Sequence, residues 1–310
     1  MMGKGKTMGN KGLLKEMKKY LPFYMFLLPA LILVILFCYL PMDGLAIAFK
    51  DYKMARGISG SDWVGLKHFK NLFSDPNFYR ILGNTLKISI ATLLTTFPVT
   101  VIFTILVNEI FSKKFKSVVQ TITYMPHFLS EVVVCSLVIL FLDRTSGPVN
   151  NLIAALGGER TAFMGIPKAF PSIYVFSGLW QSIGWSSILY ISALSSISME
   201  EVEAARIDGA SRLQVLWHIN IPGILPTIVI TFLLRVGNLM SLGYTKILLL
   251  QNDLNLDVST TISTYTYEIG MLQGQYSYSS AIGLFNNIIN ICVMLIANQI
   301  SKKVSQVSLF

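Results

Sequence analysis

The chain alternates apolar runs with polar stretches. Read by length and hydrophobicity, the runs lie at about 22–42, 85–107, 118–142, 171–194, 223–250 and 279–300. Each is close to the twenty or so apolar residues that an α-helix needs to cross a bilayer core. The pattern therefore predicts an all-α integral membrane protein with six transmembrane helices. Asn84 stands where it can cap the second run. The polar stretch 43–83 carries a short amphipathic segment over 62–73, with Trp63, Leu66, Phe69, Leu72 and Phe73 on its apolar side. Such a segment suits an interfacial belt or contact with an external partner. The stretch 143–170 is punctuated by Pro148, Gly157-Gly158 and Pro167, with a short helix expected over 150–156.

The stretch 196–222 between the fourth and fifth runs is different. Residues 196–226 hold four acids, two arginines and a histidine, yet their grammar is helical. Ser198 with Glu201, and Ser211 with Gln214, have the spacing of capping boxes. Gly209 lies between them, where a first helix would end in the left-handed conformation. The second helix carries Leu213, Leu216 and Trp217 and is expected to stop at Pro222. This predicts a helix-turn-helix elbow outside the bilayer. Its small residues Ala204, Ala205, Gly209 and Ala210 let another protein approach closely.

Polar residues inside the runs are candidates for a route through the membrane. The second run holds Thr85, Ser89, Thr92, Thr95, Thr96, Thr100 and Thr104, whose hydroxyls either bond back to the helix or line a polar path. The fourth run is the most polar and aromatic, with Tyr174, Trp180, Gln181, Trp185 and Tyr190. Its aromatics serve packing, interfacial anchoring or, in a sugar transporter, stacking on pyranose faces. Arg235 in the fifth run must face protein or water, because its charge is costly in lipid. Asn286, Asn287, Asn290 and Asn298 in the sixth run need internal partners.

Charge sets the orientation. Only 13% of the 310 residues are charged, 53% are hydrophobic and the mean hydropathy is +0.59. The net charge of +9 raises the question of nucleic-acid binding. Clustering of lysines at the ends of apolar runs argues against it. Segments 1–20, 109–120, 195–222 and 301–310 hold 13 Lys and Arg, and the longer segments 43–83, 143–170 and 251–278 hold 9. The positive-inside rule then places the basic N-terminus 1–20, the elbow and the tail 301–310 in the cytoplasm. Cys38, Cys135 and Cys292 lie in apolar runs and read as small buried hydrophobes. His68, His127 and His218 do not share metal-ligand spacing. Nothing resembles a phosphate-gripping glycine loop, so ATP hydrolysis would fall to another chain.

Glu203-Ala204-Ala205, then Gly209, Ile219 and Ile221-Pro222, resembles the EAA loop of ABC importer permeases. Ile221 replaces the leucine usual before the final proline, which keeps an apolar side chain there. Tyr39-Leu40-Pro41-Met42-Asp43-Gly44, Ala48-Phe49-Lys50-Asp51-Tyr52 and Trp63-Val64-Gly65-Leu66 resemble the MalF-like multiple-sugar permeases, in particular their LplB-type oligosaccharide branch. The resemblance implies that the elbow is a coupling helix docking on a cytoplasmic ATPase through Glu203, Ala204, Ala205, Gly209 and Ala210. It implies import of oligosaccharides by alternating access in a bacterial plasma membrane, with no catalytic residue, metal or cofactor on this chain. ATP and Mg would belong to two ATPase subunits. The other partners would be a second homologous permease and an extracytoplasmic sugar-binding protein. Candidate route residues are Trp180, Trp185, Tyr190, Arg235 and Asn286.

Two other classes compete. An ion-coupled secondary transporter predicts internal repeats and an acidic ion site near the midplane, and neither is apparent. A non-transporting membrane scaffold would need neither ATPase nor binding protein.

Overall fold

The computed structural model describes residues 10–305 and 307–310. Lys4 and Lys6 of the basic N-terminus lie outside the described residues. The chain divides into two units, one ending at Lys67 and one beginning at His68.

In the first unit, helix α1 (Asn10–Val34) runs on through a wide turn at Ile35–Tyr39 and a tight one at Leu40–Phe49. Together Lys19–Phe49 form one apolar rod of 31 residues, enough to span a membrane. A two-stranded antiparallel hairpin follows, pairing Lys50 with Trp63 and Asp51 with Asp62. Trp63 stacks on Phe49 with ring centroids 5.6 Å apart, and Lys50 Nζ donates to the Ile58 carbonyl at 2.7 Å. Asp62 and Trp63 are thus extended, and the short helix expected from residue 62 starts only at Lys67.

The second unit is helical throughout. Helix α2 (Lys67–Ser74) leads into α3 (Pro76–Asn108), α4 (Lys113–Tyr124), α5 (Glu131–Phe141), α6 (Pro148–Ala155) and α7 (Phe170–Ser195). Then come α8 (Met199–Ile207), α9 (Arg212–Val215), α10 (Ile221–Val236) and α11 (Tyr244–Leu250). The chain closes with α12 (Leu256–Ser259), α13 (Ile262–Tyr267) and α14 (Tyr276–Val304). The molecule is an all-α membrane protein. Among the described residues four helices are long and apolar enough to cross a bilayer, or five if the bent pair α4–α5 is one span.

Several expectations change in detail. Helix α3 starts at Pro76, capped by Asp75, whose carboxylate accepts from the Asn77 N–H at 2.9 Å. Asn84 is therefore not a cap. It lies within the helix and donates to the carbonyls of Asp257 at 2.7 Å and Thr260 at 3.1 Å. One turn earlier Arg80 pairs with Asp257. The N-terminal part of α3 thus holds the 251–262 segment in place. The third apolar run is not one straight helix: α4 and α5 meet at 105°. Pro126 sits at that corner and Ser130 caps the new helix. The fifth run breaks after α10, because Gly237 to Gly243 leave the helix before α11 begins.

Helix α7 is long enough to span but more polar than the four long apolar helices. Its neighbours explain this, since α3, α4, α5, α10, α11 and α12 all pack on it. The face turned to those helices carries the buried Tyr174, Ser177, Gly184, Ser187 and Tyr190, while Phe176, Ile188 and Leu189 are exposed. Gly184 allows the closest approach: a Cβ there would collide with the carbonyl of Thr123 on α4. Two buried clusters fill the unit. One joins Ile88, Cys135, Phe170, Tyr174, Val175, Ile247 and Leu250. The other joins Leu72, Phe78, Ile81, Met240, Ile262 and Ile282. Cys135 is buried as expected, whereas Cys38 and Cys292 are exposed on the chain.

Candidate functional site

The elbow is built by three backbone devices. Ser198 accepts from the Glu200 N–H at 3.2 Å and starts α8, so Glu200 rather than the expected Glu201 takes this cap. Helix α8 ends in a Schellman turn: the Gly209 N–H reaches Arg206 O at 3.1 Å and the Ala210 N–H reaches Ala205 O at 2.9 Å. Gly209 has φ +84°, the left-handed conformation that closes this motif. Ser211 and Gln214 then form a reciprocal box, with the Ser211 N–H on Gln214 Oε1 at 2.8 Å and the Gln214 N–H on Ser211 Oγ at 3.4 Å. The second helix does not stop at Pro222. It passes into α10 through a wide turn at Leu216–Asn220, where the Ile221 N–H bonds Leu216 O five residues back, and this widened turn next to Pro222 lets the helix continue past the proline. Arg212 through Val236 is therefore one rod of 25 residues.

The elbow's surface is open. Glu203, Ala204 and Gly209 are exposed, and Ala205 and Ala210 are half-buried. Beside them Met199, Leu213 and especially Ile207, 86% exposed, offer apolar side chains to solvent. Arg212 lies over the ring of Phe111, 4.3 Å from its centroid, which ties the elbow to the turn between α3 and α4.

A polar cavity of about 410 Å³ opens within the helices, lined among others by Ser89, Thr92, Thr96, Tyr174, Arg235 and Asn238. Arg235 donates from Nη1 to Thr96 Oγ1 at 3.1 Å and from Nη2 to Ser186 Oγ at 3.2 Å. Thr96, Thr100 and Thr104 each bond back to the carbonyl four residues earlier, so most of the threonine ladder satisfies its own helix. Ser89 and Thr92 line the same cavity, and their hydroxyl oxygens are buried without a partner.

The other candidates do not join Arg235. Tyr190 is buried, and its hydroxyl bonds Thr231 Oγ1 at 2.8 Å, which places it in helix packing. Trp185 stacks on His127 at 4.5 Å, at the α4–α5 corner. Trp180 lines a separate apolar cavity of about 460 Å³ with Leu137, Phe141 and Phe176. Asn286 Oδ1 is buried on α14 without a partner, while Asn290 accepts from the Met240 N–H at 2.9 Å and donates to Ser241 Oγ at 2.9 Å. Asn298 accepts from the Leu309 N–H at 2.8 Å. Sequence reasoning missed Lys246. It is 6% exposed, donates to the Tyr174 carbonyl at 3.2 Å and lies 4.9 Å from that ring's centroid. A lysine followed by four apolar residues in a membrane run was the available signal.

Residues 90–306 match the family model described as the binding-protein-dependent transport system inner membrane component. The chain belongs to that permease family. The permease is 40% identical to Protein LplB of Bacillus subtilis (strain 168) over 287 residues, 93% of this chain and 90% of the relative. It is also 40% identical to the polygalacturonan/rhamnogalacturonan transport system permease protein YteP of the same strain, over 94% of this chain and 91% of the relative. Its fold matches a chain of a bacterial ABC transporter that imports the acidic polysaccharide alginate, with a TM-score of 0.87 and 36% identity over 94% of this chain and 99% of that one. A second structure, of a bacterial alginate transporter in complex with an alginate pentasaccharide-bound periplasmic protein, gives 0.88 at 36% identity, over 96% and 99%. The permease is thus a transport subunit of the ABC type.

Proposed function

We propose that this permease is one of two membrane-spanning halves of an ATP-driven importer of oligosaccharides. The likeness over nearly the full chain to relatives and structures named for polysaccharide transport carries this reading. Six spans cross the membrane with both ends in the cytoplasm: Lys19–Phe49, α3, the bent pair α4–α5, α7, the rod α9–α10 and α14. A second homologous permease completes the pathway, an extracytoplasmic binding protein delivers the sugar, and two cytoplasmic ATPase subunits bind ATP and Mg.

The elbow is the coupling element. Its exposed Glu203, Ala204 and Gly209, with Ile207 beside them, dock on an ATPase subunit. Because α9 and α10 form one rod, closure of the ATPases levers α10, which carries Thr231 and Arg235 against α7 and α3. The spans then expose the polar cavity to the binding protein, and hydrolysis resets them. Arg235 lines the substrate route. Trp180, Trp185 and Asn286 lie apart from that cavity and are left out of the route, and Tyr190 holds α10 against α7. Expression of the tagged chain in its native membrane, followed by mild detergent extraction, tests the assembly. The reading expects an ATPase and a second permease to co-purify. A chain that transports oligosaccharide without either would contradict it.

A further inference from the structure

The fifth apolar run is interrupted by a break that the chain builds deliberately. Helix α10 keeps its ladder to Gly237, whose N–H bonds Leu233 O at 2.9 Å. The next two amides tighten, Asn238 onto Arg235 O at 3.2 Å and Leu239 onto Val236 O at 3.1 Å. The Met240 N–H then leaves the ladder. It donates to Asn290 Oδ1 on α14 at 2.9 Å, and Asn290 Nδ2 donates to Ser241 Oγ at 2.9 Å. The Leu234 carbonyl, given up by the Asn238 amide, accepts instead from Asn238 Nδ2 at 3.1 Å. Two asparagines thus satisfy the break at a depth where an unpaired amide is costly. Asn290 and Met240 are both buried, so the bond between them is sheltered from water. Non-helical backbone inside a membrane is tolerated where it is buried or lines a cavity, and Asn238, Ser241 and Gly243 line the polar cavity.

The two sides of the break are held differently. Beyond it, α11 is fixed to α7. Lys246 Nζ donates to the Tyr174 carbonyl, and Gly178 leaves room for the ammonium, since a Cβ there would stand 3.1 Å from Nζ. Ile247 and Leu250 are fully buried in the cluster with Tyr174 and Cys135. Before the break, α10 is continuous with the elbow through α9. Its polar ties to α3 and α7 run through the rotatable hydroxyls of Thr96, Ser186, Tyr190 and Thr231.

From this we infer that Gly237–Gly243 is a hinge held by Asn290, at which α10 swings with the elbow while α11 stays on α7. Asn290 is a positioning residue for transport. By holding the Met240 amide it keeps the helix from closing across the break. The cavity wall at Asn238 and Ser241 therefore changes shape as α10 moves, which an unbroken fifth helix would not allow. The inference rests on the proposed reading of the chain as an importer driven through its elbow.

The test measures distances in the full complex, reconstituted with its ATPase, second permease and binding protein. Spin labels replace Leu189 on α7 together with either Leu225 on α10 or Leu248 on α11, in a chain freed of Cys38, Cys135 and Cys292. All three leucines are exposed on this chain and stand outside the polar cavity. Each pair is read by pulsed electron resonance without nucleotide and after trapping with ATP and vanadate. The Leu225 pair should shift by at least about 2 Å, the scale of a functional helix displacement, and the Leu248 pair by less. Asn290→Leu leaves the Met240 N–H free to return to the helix, so the Leu248 pair should then shift as well. Asn290→Asp keeps an acceptor for that N–H and should hold Leu248 still, a rescue that mere space-filling would not give. Equal shifts of both pairs without the Asn290 substitution, or no shift of either, would overturn the hinge and leave the importer reading standing. An Asn290→Leu complex that behaves like its parent would overturn the role of Asn290. Failure of the chain to assemble with any ATPase would overturn both readings. Should Asn290→Leu fail to insert, the two pairs in the parent chain decide.

Discussion

The guanidinium of Arg212, the first residue of α9, lies 4.3 Å from the ring centroid of Phe111 in the turn between α3 and α4. The elbow is thereby attached to a second part of the membrane unit besides the helix it continues into. A cation–π contact at an exposed site contributes about 0.5–1 kcal/mol. Phe111→Ala and Arg212→Gln should each lower thermal stability in detergent, and the double variant should lose less than the sum. Strict additivity in that double-mutant cycle would show that the contact carries no coupling.

Gly184 and Gly283 make a contrasting pair on α7 and α14. A Cβ at Gly184 would run into the Thr123 carbonyl, backbone that cannot step aside, whereas a Cβ at Gly283 meets nothing within 4 Å. Gly184→Ala should cost roughly 1–3 kcal/mol through overpacking. Gly283→Ala should be neutral or stabilise by up to about 1 kcal/mol through helix propensity. Melting temperatures of the two purified variants check this, and equal values would refute the packing account.

Asp143 begins the loop after α5. The Ser146 N–H, the Thr145 and Ser146 hydroxyls and the Thr145 N–H all donate to Oδ1, at 2.7–2.9 Å. These bonds, with the Ser146 N–H foremost, hold the carboxyl well below the usual carboxylate range. A depressed folded-state pKa stabilises the turn above the unfolded value of about 3.9, and this is lost only as pH falls through the folded value. Amide exchange at Thr145 and Ser146, corrected for intrinsic rates, should therefore show constant protection from pH 8 to about 5. Asp143→Ala should remove that protection across the same range. Protection that falls away near pH 6 would contradict the assignment.

Much of the architecture was legible because membrane helices must satisfy their backbone internally and present apolar faces to lipid. The rods Lys19–Phe49, Pro76–Asn108 and Tyr276–Val304 follow from length and hydropathy. The Ser211–Gln214 box and the left-handed Gly209 follow from local chemistry that no tertiary contact overrides. Other features depended on neighbours. Asn84 has the residue type and place of a cap, but Asp257 and Thr260 give it carbonyls to bond within the helix. Pro222 reads as a stop, yet the wide turn at Leu216–Asn220 just before it lets the helix run on. Trp180, Trp185, Tyr190, Arg235 and Asn286 share only their residue types as candidates for a route. Side-chain direction disperses them, and hydroxyls two helices away decide where Arg235 points. Lys246 leaves little trace in the sequence because a single lysine barely alters the hydropathy of its run.

The proposed orientation gives a labelling pattern. In a chain freed of Cys38, Cys135 and Cys292, Ser211→Cys should react with a membrane-impermeant thiol reagent only after the membrane is opened. Glu159→Cys, exposed in the loop after α6, should react in intact cells. Labelling of Ser211→Cys from outside would reverse the topology.

In the proposed assembly the Gly209 elbow couples this permease to its ATPase. A side chain at Gly209 meets nothing within 4 Å, so the cost of substitution comes from φ +84° alone. It amounts to roughly 1–2 kcal/mol for an ordinary residue, and more for a β-branched one. Gly209→Val should therefore insert and leave sugar binding by the external protein unchanged, while opening the turn between α8 and α9. The deciding measurement is sugar-stimulated ATP hydrolysis by the reconstituted complex, read beside ATPase pull-down. Gly209→Val should show weakened association and hydrolysis that no longer responds to sugar, with Gly209→Ala intermediate. Normal association with fully sugar-stimulated hydrolysis in Gly209→Val would contradict the claim.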